Sequence, residues 1–203
     1  TKGKQKATHR AHLDPDLMPR MRQRAPGWKP VLGQVGAAQA HLRNQGVGEG
    51  DVFLFFGLFR EVDSDLRWVG APKHVIWGWL RIGEVANVDL GVRPELSGRW
   101  SWIAEHVHLS HSPNASNTVY VAGDTAGSAG VFERYEDARR LSANDADGPS
   151  TWSLPAWFRP NGRTALSYHS DESRWSSDGS EVTVRAAARG QEFVLDTAEY
   201  PEA

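Results

Sequence analysis

Residues 33–60 read GQVGAAQAHLRNQGVGEGDVFLFFGLFR, in which a segment of small and amide residues leads into a long apolar run. The small residues of positions 34–43 favour a short helix, since no β-branched residue follows Val35. Glycines 46, 48 and 50 then allow a turn, after which residues 52–56 predict a strand. Because this run is apolar throughout, we expect a strand that is covered on both faces.

A second apolar segment, HVIWGWL at residues 74–80, repeats the strand pattern, and residues 82–85 continue it or bend it at Gly83. With residues 61–73 as the connection, the two strands are expected to pair as a long hairpin. Similar patterns predict further strands at residues 102–109, 118–122, 165–169, 182–186 and 191–195. Residues 131–141 fit a short helix, or a strand that gives way to a helix at 135–141. The pattern as a whole predicts an α+β fold that is β-rich, with a few short helices.

Length and composition set limits on the class of protein. The 203 residues are enough for one domain, so we predict a single domain over residues 1–203. No apolar run approaches the roughly 18 residues of a membrane span, so no membrane partner is expected. The chain shows no signal peptide and no cysteine, which excludes disulfides and thiolate sites and predicts a cytoplasmic location.

The net charge of -2 hides an uneven distribution of charge. Residues 1–29 hold eight Lys or Arg against Asp14 and Asp16, which leaves 15 basic against 23 acidic residues in the rest. This basic N-terminal arm suits contacts with phosphate, for which Arg22, Arg24 and Lys29 are the candidates. Its first six residues also fit a solvated tail.

Flat polar ligands are suggested by the tryptophan and amide content. Of nine tryptophans we expect most to pack in the core, with Trp79 or Trp157 left to stack on a base. Gln34, Gln39 and Asn44 carry amides that can read a base edge. The same amides are equally consistent with solvation or with capping of neighbouring loops.

The segment His12-Leu-Asp14-Pro-Asp16 is where a histidine and two carboxylates cluster in sequence. It is consistent with capping or salt bridging, with positioning of a substrate, or with a divalent cation shared with His106, His108 or His169. On a strand, His106 and His108 would share one face, a pattern more typical of a half-exposed surface than of a metal pair. No established catalytic or cofactor-binding motif is present, so no cofactor and no metal is predicted.

A larger set of motifs resembles one family. It comprises the HLDPD segment, PGW at 26–28, GQxGAAQxHLxNQGVGxGD, FLFFGxFR, HVIxGWLxxGEV, HLS followed by NTVYVA, WSLPAWF, LSYH and GQEFVLD. This pattern spans almost the whole chain and resembles the nucleotide modification associated domain family, third type. The resemblance implies association with bacterial or phage systems that make or handle modified bases, so nucleic acid, nucleotides and base-modification enzymes are the expected partners. Gly50-Asp51 with residues 53–56, followed by residues 78–85, is similar to PUA-like modules such as ASCH and EVE. This similarity implies a curved, barrel-like sheet that binds a base.

Two hypotheses of function follow. In the first, the protein recognises a modified base. Its ligand-binding residues are then Gln34, Gln39, Asn44, His74, Trp79, Asn117, Trp157 and Tyr168. In the second, it is an enzyme that makes or removes a base modification, with His12, Asp14, His74 or His169 as acid or base and Asp16 orienting one of them. A partner protein with an exposed apolar patch is the third alternative.

Overall fold

The computed structural model describes residues 12–88, 98, 100–110, 116–144, 146–187 and 192–202. α-Helices lie at Gly36–Asn44 (α1) and Val107–Ser110 (α2). Strands lie at Val31–Val35 (β1), Val52–Val62 (β2), Trp68–Asn87 (β3), Asn117–Ala122 (β4), Ala129–Val131 (β5), Thr151–Pro155 (β6), Trp175–Asp178 (β7) and Glu181–Arg185 (β8). The α+β, β-rich class is confirmed.

The strands form two sheets. The larger has the order β1-β4-β3-β2, with β5 beside β3, and the smaller has the order β6-β8-β7. These sheets are not closed into a barrel, which corrects that part of the prediction. In the strand order of the larger sheet, β1 and β2 are the outer strands. In the smaller sheet, β6 is an outer strand and ends at Pro155, which is a position where a sheet tolerates proline.

The predicted hairpin is confirmed, since β2 and β3 are neighbours, but its connection is much shorter than residues 61–73. The turn is closed by the Asp63 N–H, which donates to the Arg67 carbonyl at 3.0 Å, while the Asp63 carboxylate accepts from the N–H groups of Asp65 and Arg67. The Asp63 side chain thus stabilises a tight turn by accepting hydrogen bonds from backbone N–H groups within the turn.

Some elements differ from the sequence-based expectation. Residues 165–169 and 192–195 contain no strand, and the predicted helix within 131–141 is reduced to a 3₁₀ turn at Asp137–Arg139. These short segments carry too few residues for periodicity to distinguish a strand from an irregular connection. Among the described residues, no helix is both long enough and apolar enough to cross a membrane.

The chain divides into two compact units. The first comprises the described residues within 1–40, 48–52 and 80–130, where β4 pairs antiparallel with β1 and with the C-terminal part of β3. Its core is apolar and rich in valine and tryptophan, and consists of Val31, Ala86, Val88, Trp100, Trp102, Ile103, Val119 and Val121.

The second unit comprises the described residues within 41–47, 53–79 and 131–203 and contains the smaller sheet. Its core consists of Trp152, Leu154, Leu166, Trp175, Val182, Val184 and Ala186. A single domain over residues 1–203 stays a prediction.

Candidate functional site

Asp14 lies at the centre of a group of histidines in the first unit. Its carboxylate side chain is only 8% exposed, and its Oδ2 lies 3.1 Å from His108 Nε2 and 3.8 Å from His12 Nε2. The Nε2 of His106 lies 3.7 Å from the other oxygen, Oδ1. We call these four residues the Asp14 cluster.

Backbone pairing positions the aspartate. The Asp16 N–H donates to the Val31 carbonyl at 2.8 Å, and the Val31 N–H donates to the Asp16 carbonyl at 3.0 Å, so residues 14–16 lie alongside β1. The N–H of Gly33 then donates to Asp14 Oδ1 at 2.9 Å. The carboxylate is therefore held by the strand itself.

The two clustered histidines come from short helical turns rather than from the strand predicted over residues 102–109. A 3₁₀ helix spans Ser101–Glu105, His106 caps its end, and His108 belongs to α2. Trp102 and Ile103 anchor this segment in the core. Both histidines are buried, so the half-exposed surface expected for them is wrong.

Gly33 makes room for His108. A Cβ at this position would lie 2.2 Å from the His108 ring, closer than real Cβ contacts allow. Only glycine therefore lets β1 approach the imidazole while its N–H binds Asp14. This requirement is not visible in the sequence, because it comes from a residue 75 positions away along the chain.

Asn117 fixes the tautomer of His108. The Asn117 amide nitrogen donates to the His108 carbonyl at 2.8 Å, which turns its oxygen toward His108 Nδ1 at 2.7 Å. Nδ1 therefore carries a proton, and Nε2 faces Asp14. Burial lowers the pKa of His108, but hydrogen bonds to Asp14 and Asn117 and the charge of Asp14 together raise it above 6.5.

His106 stays neutral at the bottom of the cluster. Burial lowers the pKa of His106 to about 4, and the nearby Asp14 carboxylate opposes this only in part. The His108 N–H donates to His106 Nδ1 at 3.4 Å, while the buried Nε2 has no hydrogen-bond partner within the part of the chain that the structure describes. An unpaired buried polar atom is costly, so its presence here calls for a functional explanation.

His12 gives the cluster access to solvent. Its side chain is 59% exposed, and its ring centroid lies 6.0 Å from that of His108. One ligand atom from each of His12, Asp14 and His108 lies within 4.8 Å of the other two, an arrangement that is able to hold a metal ion. Of the residues predicted as catalytic, the structure thus brings together His12 and Asp14.

Asp16, by contrast, forms a buried ion pair. Arg24 donates to both of its oxygens at 2.6 Å and stacks on Trp28 at 4.0 Å, while Arg22 lies 3.9 Å away. Of the alternatives weighed for the HLDPD segment, salt bridging therefore describes Asp16. The guanidinium of Arg24 is engaged inside the protein, and Lys29 lies 2.5 Å from Asp124.

His169 belongs to the second unit, whereas the residues with which it was grouped, His12 and Asp14, belong to the first. Its Nδ1 donates to the Ser167 carbonyl at 2.7 Å, and its Nε2 accepts from the Ala187 N–H at 3.0 Å. Both ring nitrogens thus form hydrogen bonds with backbone groups. Burial lowers the pKa of His169. This pattern is typical of a structural histidine.

The amides predicted to read a base edge do not share a surface. Gln34 lies in β1 rather than in the helix, Gln39 is buried and accepts from the Tyr120 hydroxyl at 2.9 Å, and Asn44 is exposed. Asn117 acts on His108, as described above. The amide face expected from helical spacing is therefore divided between the interior and solvent.

The predicted aromatic ligands are largely packed against other rings. Trp79 lies 4.8 Å from Phe132, and Trp157 lies 4.6 Å from Phe158. His74 Nδ1 accepts from the Trp152 indole at 2.9 Å, and burial lowers the pKa of His74.

Tyr168 is the exception among the predicted aromatic ligands. It is 47% exposed and lies 4.5 Å from the ring of His41.

Comparison with models of known protein families identifies a family that this chain matches. The family model for nucleotide modification associated domain 3 matches residues 1–196, nearly the whole chain. No curated protein and no solved structure matches the chain.

Proposed function

The chain belongs to the nucleotide modification associated domain 3 family, which links it to nucleotide modification systems, and we propose that it is an enzyme that makes or removes a modification on a base or nucleotide. Its catalytic centre is the Asp14 cluster. One observation carries this proposal: the His108 imidazole is held between the Asn117 amide and the Asp14 carboxylate, directly below the exposed His12.

The cluster supports acid–base chemistry in the following way. Asp14 Oδ2 and His108 Nε2, 3.1 Å apart, exchange a proton without movement of either side chain. His12 is exposed and adjacent to Asp14, so it is the group that reaches a bound nucleotide. Neutral His106 keeps a second positive charge away from the buried carboxylate.

Mass spectrometry of incubated nucleotides tests the proposal. The panel contains unmodified dNMPs, 5-methyl-dCMP, 5-hydroxymethyl-dCMP, N6-methyl-dAMP and short oligonucleotides that carry the same bases, each with and without added divalent metal. We expect a mass change with the wild type that slows at least about 100-fold in Asp14→Asn and His12→Gln, as is typical when an acid or base is lost. Asp65→Asn, which removes an exposed carboxylate elsewhere, is the matched control and keeps the wild-type rate.

Two results contradict the enzyme. One is a folded Asp14→Asn protein that produces the same mass change at the same rate as the wild type. The other is recovery of every panel member unchanged after incubation with the wild type.

Recognition of a modified base is the second candidate function, supported by the exposed ring of Tyr168 beside His41 in the second unit. Such a ring offers a stacking surface for a base. We then expect modified and unmodified oligonucleotides to differ more than tenfold in affinity, measured by fluorescence anisotropy, and Tyr168→Ala to remove the preference. Equal affinity for the two oligonucleotides contradicts this candidate.

A further inference from the structure

We propose that the Asp14 cluster is a binding site for a divalent transition-metal ion, with His12 Nε2, Asp14 Oδ2 and His108 Nε2 as its ligands. A role of that ion in catalysis rests on the function proposed above, but the binding itself does not.

One pair of ligand atoms is already spaced for such an ion, and the third ligand atom, on exposed His12, lies farther away. Metal–nitrogen and metal–oxygen bonds of about 2.1 Å place neighbouring ligands roughly 3.0–3.5 Å apart. His108 Nε2 and Asp14 Oδ2 are already 3.1 Å apart, and His12 Nε2 lies 3.8 Å from the same oxygen. His12 is exposed, so a small rotation of its side chain completes the set.

The surroundings of the ligands are those of a prepared metal site. Metal-binding histidines usually use their other ring nitrogen to donate to an oxygen, which fixes the tautomer. His108 does this through Nδ1 to the Asn117 oxygen at 2.7 Å, and the Gly33 N–H holds the second oxygen of Asp14 at 2.9 Å. With an ion bound, His108 Nε2 and Asp14 Oδ2 both face the ion, so the proton exchange proposed above between these two groups belongs to the metal-free chain.

His106 provides a second, independent observation. Its side chain is 3% exposed, its Nε2 has no hydrogen-bond partner among the described residues, and that atom lies 3.7 Å from Asp14 Oδ1. A shift of a few tenths of an ångström in the carboxylate, of the kind that accompanies ion binding, brings Oδ1 within hydrogen-bond distance. His106 Nε2 then donates to Asp14 Oδ1, so ion binding pairs a buried nitrogen that otherwise lacks a partner among the described residues.

The ligand types select the class of ion. Two imidazoles and one carboxylate suit Mn²⁺, Fe²⁺, Co²⁺, Ni²⁺ or Zn²⁺ better than Mg²⁺ or Ca²⁺, which prefer all-oxygen sites. Two histidines and one carboxylate also leave positions open for substrate or water. The chain has no cysteine, so thiolate does not compete for the ion.

Cobalt titration of the whole chain tests the inference without any measurement of activity. Co²⁺ is added to metal-free protein, its visible absorption is followed, and stoichiometry is checked by equilibrium dialysis with Zn²⁺ and elemental analysis. We expect one ion per chain, retention in a hundredfold excess of Mg²⁺, at least tenfold weaker binding in His12→Gln and no stoichiometric binding in Asp14→Asn. His41→Gln, in the second unit, is the matched histidine control and binds as the wild type does.

The outcomes separate this inference from the proposed function. Absence of stoichiometric binding, or wild-type affinity in either His12→Gln or a folded Asp14→Asn protein, overturns the metal site. His12 is exposed, so its substitution tests the site even if Asp14→Asn fails to fold. Conversion of nucleotides by a chain that binds no metal overturns this inference alone, whereas one bound ion without conversion of any nucleotide overturns only the enzyme.

Discussion

Gly33 shows how a residue without a side chain shapes the candidate site. In Gly33→Ala, the added methyl overlaps the His108 ring, since its position is 2.2 Å from that ring. We expect a loss of about 1–3 kcal/mol in the free energy of unfolding, the usual cost of overpacking, together with displacement of His108. Urea unfolding measures the first effect, and the NMR signals of the imidazole measure the second.

The control is Gly57→Ala, where the new methyl would lie 3.1 Å from the Phe59 ring and 3.5 Å from the Trp77 ring. A Gly33→Ala protein with wild-type stability and unchanged His108 signals is incompatible with the packing described here.

The buried ion pair of Asp16 is expected to be structural. In Asp16→Asn, the Arg24 guanidinium keeps its charge but loses its partner, and breaking a buried pair in this way typically costs about 3–5 kcal/mol. Thermal or urea unfolding measures the change. Asp65→Asn breaks an exposed pair with Arg67 and should cost at most about 1 kcal/mol. Similar losses in the two variants would argue against the structural role.

At the residue scale, the sequence predicted part of the site. The HLDPD segment drew attention to His12 and Asp14 because carboxylates and a histidine were adjacent in the chain. Gly33 and the buried position of His106 were not predicted, because both depend on contacts between distant segments. His169 was misleading, since a histidine that hydrogen-bonds backbone on both sides looks the same in sequence as a catalytic one.

At the scale of elements, the β2 strand contradicts the expectation of a strand covered on both faces. Leu54 and Leu58 are 58% and 59% exposed on this edge strand. An unbroken apolar run predicts a strand but does not tell how many of its faces are covered. The strand predicted at the HVHLS segment is wrong for a related reason. An alternation of polar and apolar residues over four or five positions fits a short helical turn as well as a strand.

Two substitutions test the exposure of β2. Leu58→Ser should change the free energy of unfolding by no more than about 0.5 kcal/mol, as is usual for surface positions. Leu80→Ala, at a fully buried position of β3, should cost about 2–5 kcal/mol. Urea unfolding of both variants provides the comparison, and a cost at Leu58 equal to that at Leu80 would mean that β2 is covered on both faces after all.

At the scale of the whole molecule, buried histidines make stability depend on pH. Burial lowers the pKa of His169 and of His74 below 6.5, so the unfolded chain takes up more protons than the folded one as pH falls. Their contribution to stability is complete above pH 6.5 and is lost as pH falls through the lowered pKa values. Protonation of His169 at Nε2 also removes its bond from the Ala187 N–H.

We therefore expect His169→Gln, which is less stable at pH 7, to lose less stability than the wild type as pH falls below 6.5. Urea unfolding at several pH values measures both slopes. Parallel slopes for the two proteins would show that His169 does not contribute, since carboxylates titrate alike in both.

In the proposed enzyme, nucleotides bind at the Asp14 cluster. The NMR signals of the histidine rings provide a direct test of this binding. Nucleotides of the mass-spectrometry panel are added to the labelled wild-type protein, with each imidazole assigned from a single His→Gln variant. We expect the NMR signals of His12 and His108 to shift, whereas those of His41 and His74 do not. Shifts at His41 and His74 alone, or no shift at His12 and His108 with any nucleotide, would contradict it.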